Sequence, residues 1–169
     1  MLLIVCGVSG VGKTTVGMLL SEALDIPFYD ADAFHPSSNI EKMTSGTSLD
    51  DEDRKPWLEV LARNLSTWQE DGGAVLACSA LKETHRAILG SQCSYSITWI
   101  VLHASRAVLS DRLESRKVHF FDQQLLSSQL KAFEAPDYGW LVNAEASPRD
   151  IVADVLSRLR GNSELVNDY

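Results

Sequence analysis

The sequence predicts an α/β protein: a doubly wound parallel sheet of five strands with helices on both faces. Three observations carry that expectation. Short, β-rich apolar runs alternate with longer stretches of helical period along the chain. The first run, residues 2–8, is apolar almost without interruption, as suits a strand covered on both faces. Helix-sized segments separate the strands, and right-handed crossovers between parallel strands use connections of that kind. Ligands of such a sheet gather at the carboxyl ends of its strands.

The elements follow in order. Lys13–Leu24 sets Val16, Leu19, Leu20 and Leu24 along one helical face. Residues 27–29 begin a second strand that runs into Asp30 and Asp32. Residues 35–45 predict a short helix and turn, with Pro36 as the first helical residue. Residues 54–70 carry Trp57, Leu58, Leu61, Leu65 and Trp68 at helical spacing, a core stripe that Gly72 and Gly73 terminate. Next come a strand at 74–79, a helix at 82–89, a strand at 97–103 and a helix at 107–116. A loop at 117–122, a helix at 123–133 and a strand at Trp140–Asn143 complete the sheet. In the last helix Ser147 caps, Pro148 fits the first position, and Asp150 lies near the positive end of the dipole. Ile151, Val152, Val155, Leu156 and Leu159 form its buried stripe, and the polar stretch 161–169 predicts a frayed, flexible tail.

Length and composition bound the rest. A chain of 169 residues, 45% apolar and 22% charged, suits one domain, 1–169, that buries about two-thirds of its unfolded surface. A net charge of −8 argues against nucleic-acid or anionic-membrane partners. It leaves an anionic small molecule open, because a site can concentrate cations locally. Three cysteines without metal-type spacing read as buried free thiols in a reducing compartment. The apolar N-terminal run lacks a basic flank and is too short for a leader or a membrane span. The expected location is cytoplasmic.

Gly7, Val8, Ser9, Gly10, Val11, Gly12, Lys13 and Thr14 match G-x-x-x-x-G-K-[ST] between a buried strand and a helix. The glycines let N–H groups turn inward around phosphate oxygens, and the helix presents its unpaired N–H groups and positive dipole end. Lys13 reaches the β- and γ-phosphates, the Thr14 hydroxyl suits Mg²⁺, and Thr15 suits the α-phosphate. The strand at 74–79 ends Cys78-Ser79 with no carboxylate, and no N-K-x-D guanine reader exists. Both absences favour transfer of the phosphoryl group to a substrate hydroxyl rather than to water.

On the acceptor side, Asp30 and Asp32 are two apart in an extended segment, so both can face the cleft. One can hold Mg²⁺ through water while the other takes a hydrogen bond or the proton from the attacking hydroxyl; the base role is assigned to Asp32. Arg54 follows the acidic turn Asp50–Asp53 and begins a helix, where its planar fork suits a carboxylate. The plainer reading is an ion pair with those acids. Ser79 and Lys82 leave the ligand end of the third strand. Lys82 and Arg86, spaced i,i+4, share a face that can hold an acid or a phosphoryl oxygen, or simply be solvated. His35 and Asn39 have the same spacing and suit polyol hydroxyls.

The phosphate loop, YDADAFHPSSNIEKMTSGTSLDDEDRKPWL, VLACSALKETHR and RLESRKVHFF, in that order, closely resemble the gluconate kinase family of small P-loop sugar-acid kinases. The resemblance spans roughly residues 4–136; Val118 departs from it, where members usually carry glycine. It implies a P-loop kinase fold like that of shikimate and nucleoside monophosphate kinases. It also implies a substrate-binding helical segment at about 33–71, a mobile lid at about 116–136, and transfer from ATP with Mg²⁺ to the C6 hydroxyl of D-gluconate. It carries over Arg112 as the residue packing on adenine and Arg116 as the arginine meeting the transferring phosphoryl, with His119 among the substrate contacts of the lid. By analogy with shikimate kinases it supports Arg54 as the carboxylate anchor. Homodimers occur in the family. The alternatives are a related kinase for a shikimate-like or nucleotide acceptor, or a nucleotide-binding module without turnover.

Overall fold

The computed structural model describes residues 1–115 and 123–166. Strands β1 (Leu2–Cys6), β2 (Phe28–Asp30), β3 (Ala74–Ala77), β4 (Thr98–His103) and β5 (Trp140–Asn143) form one sheet in the order β2-β3-β1-β4-β5. Every pairing is parallel, as expected. β1 is buried throughout, between β3 and β4. Its residues alternate: Leu3 and Val5 enter one core cluster, Leu2, Ile4 and Cys6 the other.

The first core packs α1 (Lys13–Leu24), α6 (Gln123–Ala132) and α7 (Pro148–Val166) against the sheet through Val16, Leu20, Leu126, Ile151 and Val155. The second packs α3 (Asp51–Glu70) and α4 (Glu83–Gly90) through Trp57, Leu58, Leu61, Leu65, Trp68 and Leu89. The tryptophan stripe is therefore core, as its spacing predicts. Helices α2 (Ser37–Thr44) and α5 (Arg106–Ser115) complete the order.

Three boundaries differ from the sequence reading. The acidic run before Arg54 is not a turn but the first turn of α3: Asp50 and Asp53 cap each other's backbone N–H, at 2.9 and 3.0 Å. Pro36 is the N-cap of α2 rather than its first helical residue. Helix α7 runs past Gly161 to Val166, since one exposed glycine weakens a helix without ending it. Cys6, Cys78 and Cys93 are free thiols, and burial pushes Cys6 and Cys78 up to about 12, so both stay protonated and inert. Among the described residues no helix is long and apolar enough to cross a membrane.

Candidate functional site

The loop between β1 and α1 is shaped by its glycines. Gly7, Gly10 and Gly12 take φ of 138°, 80° and 106°. A Cβ at Gly7 would lie 2.5 Å from the Leu102 carbonyl oxygen, so only glycine fits. Val8 and Val11 are buried and turn their carbonyls to the protein, accepting from Lys13 Nζ at 3.1 Å and Arg112 Nη1 at 3.3 Å. Among the described residues, the N–H groups of Gly10, Gly12, Lys13, Thr14 and Thr15 find no acceptor. That concavity of donors at a helix N-terminus is an anion cradle. Ser9 is different: its N–H donates to Gln129 Oε1 of α6 at 2.7 Å.

Burial lowers the pKa of the Lys13 ammonium, while the charge of Asp32, foremost, and of Asp30 draws it back up. Thr14 Oγ1 donates to Asp30 Oδ2 at 3.0 Å. A hydroxyl beside a carboxylate is the oxygen set that a hard cation such as Mg²⁺ prefers. Among the described residues no three His, Cys, Asp or Glu side chains cluster as a metal cage. A cation here would share its coordination with phosphates, as Mg²⁺ commonly does. Beside the loop lies a cavity of about 200 Å³ lined by Gly10, Gly12, Thr15, Arg112, Ala144 and Pro148. Arg112 is held across it by Val11 O and by Ala144 O at 2.8 Å.

The acceptor wall begins where β2 ends. The chain leaves the extended conformation at Asp30, whose Oδ1 accepts the Asp32 N–H at 3.1 Å and caps a 3₁₀ turn, Ala31–Phe34. The alternation argument for the acidic pair therefore fails, because Asp32 lies in that turn and not in a strand. Both charges nevertheless act on Lys13. The Asp32 side chain is 85% exposed and open to the cleft. The surrounding protein and then the charge of Asp30 raise its carboxyl pKa, against the pull of Lys13 and His35.

His35 stacks on Trp57, 4.2 Å between ring centroids, with Nε2 3.9 Å from Asp32 Oδ1. Asn39 Nδ2 donates to His35 Nδ1 at 3.3 Å and to Asp53 O at 2.9 Å. The neutral ring thus carries its proton on Nε2, towards Asp32. Burial, with the charge of Arg54, holds the imidazole pKa down against the pull of Asp32. Asn39 itself is buried and both its amide protons are committed, so it orients His35, with only its amide oxygen left to accept a hydrogen bond.

Further along this wall the Asp51 carboxylate gathers three groups: Lys82 Nζ at 2.6 Å, His85 Nε2 at 3.4 Å and Arg54 Nη1 at 3.7 Å. Asp51 ionises more readily than usual, mainly through its Lys82 hydrogen bond. Two permanent cations around one carboxylate leave a positive surplus. The charge of Arg54 is felt by both His35 and His85. Charge couples Lys13 to Asp32 and His35 to Arg54, and polar contacts join Asp32 to His35 and Asp51 to Arg54, Lys82 and His85.

The expected pairing of Lys82 with Arg86 does not form, and Arg86 is structural. Lys82 is the extended N-cap of α4, so it shares no helix face with Arg86. Arg86 is 2% exposed and its donors are all occupied: Ala80 O and Leu81 O, Glu83 Oε2, Tyr138 Oη and Glu134 O. It locks the β3–α4 turn, where Ala80 takes a left-handed φ of 41°. Ser79 reaches the site through its backbone, its carbonyl accepting the Gly7 N–H at 3.2 Å. Arg116 and His119, with residues 116–122 of the expected lid, lie outside the described residues, whereas α6, also within the expected lid, packs into the core through Leu126 and Leu130.

The shikimate kinase family model matches residues 9–139. A probable gluconokinase of Dictyostelium discoideum is 42% identical over 149 residues, covering 85% of this chain and 74% of that protein. A gluconokinase of Arabidopsis thaliana is 38% identical, covering 90% of this chain and 88% of its own. The chain belongs to the gluconokinase family. A solved gluconokinase structure from Sinorhizobium meliloti 1021 superposes with a TM-score of 0.88 at 35% identity, over 98% of this chain and 94% of that one. As a gluconokinase-family enzyme, the protein is a kinase with the P-loop fold expected of it.

Sequence reasoning missed Asp51, His85 and Gln129 in this gluconokinase-family cleft. His85 lies three residues after Lys82, a spacing that flags it, but nothing along the chain couples it to Asp51 on another helix. The Ser9–Gln129 contact spans 120 residues and has no local signature.

Proposed function

We propose that the protein transfers the γ-phosphoryl group of ATP to the C6 hydroxyl of D-gluconate, giving ADP and 6-phospho-D-gluconate. The observation that carries this reading is the electrostatically coupled set that leads from the anion cradle through Asp32 and His35 to Arg54 and Lys82, two cations that share Asp51. It offers a triphosphate site, a carboxylate beside Lys13 and an anion anchor in sequence, the order a sugar acid needs if its far hydroxyl is to meet the phosphate. Gluconate is a monoanion, so two cations that one carboxylate does not neutralise suit its acid end.

The loop N–H groups and Lys13 hold the phosphates and stabilise the charge that develops on transfer. Arg112 flanks the adenine in the cavity beside the loop, and Thr15 lies towards the α-phosphate. Thr14, and Asp30 through water, would hold Mg²⁺, which would supply further neutralisation of phosphate charge. Asp32 orients the C6 hydroxyl and takes its proton. His35 Nε2–H faces Asp32 and the polyol, Ser79 lines the turn, and Arg54 with Lys82 binds the carboxylate. Arg116 and His119 act from the lid, excluding water from the phosphoryl group. The enzyme works in the cytoplasm, as a monomer or homodimer.

An ADP-release assay with a panel of acceptors tests this. D-gluconate should give acceptor-dependent ADP and a product phosphorylated at C6, identified by NMR. Turnover with shikimate or a nucleoside monophosphate, and none above background with gluconate, would overturn it.

A further inference from the structure

One contact at the phosphate loop belongs to none of the roles above. The Ser9 N–H sits among donors that face the anion cradle, yet it alone in that stretch is given to a side chain, Gln129 Oε1 at 2.7 Å. Gln129 is held firmly on α6. Leu126 is buried, and Leu130 packs in the same core cluster. Ser127 Oγ accepts from Arg106 Nη2 at 2.8 Å, and just beyond the helix the Glu134 N–H donates to Leu81 O at 2.8 Å. The carboxamide is therefore a fixed acceptor brought to the loop from a distant part of the chain.

We propose that Gln129 is a positioning residue for phosphoryl transfer. Its carbonyl oxygen takes the Ser9 N–H and so sets the turn that aims the following N–H groups, Gly10 to Lys13, at the phosphates. A glutamate would accept the same hydrogen bond, but would place a negative charge beside a triphosphate. A leucine would fill the space and leave the Ser9 N–H unpaired. Glutamine alone of the three accepts without charge.

This inference rests on the ATP-dependent reading above, and the experiment separates the two. ATP and ADP dissociation constants, kcat, both KM values and Tm are measured for wild type, Gln129→Leu and Gln129→Glu. Gln129→Leu should lower kcat/KM for ATP about tenfold, the effect of one neutral hydrogen bond, with the gluconate KM within about twofold of wild type and Tm little changed. Gln129→Glu should keep Tm yet weaken ATP more than ADP, because the charge repels the longer phosphate chain. Wild-type ATP parameters in Gln129→Leu, or equal losses for both substrates with a fall in Tm, would overturn the assignment. A wild-type enzyme inactive on gluconate would instead sink the functional reading, while the nucleotide dissociation constants would still judge Gln129.

Discussion

At the β1–α1 turn the groups that face the cleft are main-chain N–H groups, aimed by Gly7, Gly10 and Gly12 at positive φ. Across the cleft, from Ala31 to α4, they are side chains: Asp32, His35, Arg54, Lys82 and His85. The phosphate cradle itself is thus written in eight consecutive letters, which Arg112 and Gln129 only brace from afar, whereas the acceptor half depends on residues up to 53 positions apart that only folding assembles. The difference teaches where single substitutions should act. A backbone-built site tolerates most side-chain changes and suffers at its one cation. A side-chain-built site yields its specificity piece by piece.

The sharpest way to break this comparison is Lys13→Ala. It should lower kcat by roughly a hundred- to a thousandfold with Tm nearly unchanged, because the lysine stabilises transition-state charge. Turnover equal to wild type in a stopped assay would refute that. Asp32→Asn should come next, with kcat down about a hundredfold. Its sign on stability is opposite. A carboxyl whose folded pKa is raised binds its proton more tightly folded than unfolded, so the ionised form weakens the fold once pH rises through that window. The asparagine should therefore raise Tm at pH 7 while it removes activity. For the same reason the acid limb of the wild-type kcat/KM profile, which reports the free enzyme, should lie above the ordinary aspartate value of about 4.

Arg54→Ala should raise the gluconate KM about tenfold or more, the effect of a charged hydrogen bond, and leave the ATP KM within about twofold. An unchanged gluconate KM would place the acid end elsewhere. Arg86→Ala sharpens the contrast from the other side. It should strip the buried Ala80 carbonyl of its donor, cut the ties to Leu81 O and Glu134 O, and cost roughly 3 kcal/mol in denaturant unfolding, with little change in gluconate KM at low temperature.

Legibility followed the same division. Strand number, parallel order and the phosphate loop could be read directly, because each is written in local periodicity or contiguous spacing. Arg54 was readable as a cation in the right place and as a partner of the acids before it, though not that Lys82 and His85 would share Asp51 with it. Arg86 misled because i,i+4 spacing fixes a shared face only when both residues are helical, and Lys82 is extended. Asp32 was found for a reason that the 3₁₀ turn removes, and it reaches Lys13 by another route.

The strand order has one more consequence. With β1 in the middle, the cavity that Arg112 and Ala144 line lies on the β4–β5 flank, and the polyol wall on the β3–β2 flank. The two recognition problems are therefore modular. Changing the stretch between β2 and β3 together with the β3–α4 turn would retool the enzyme for another alcohol without disturbing its choice of phosphoryl donor, which makes these segments the natural ground for divergence.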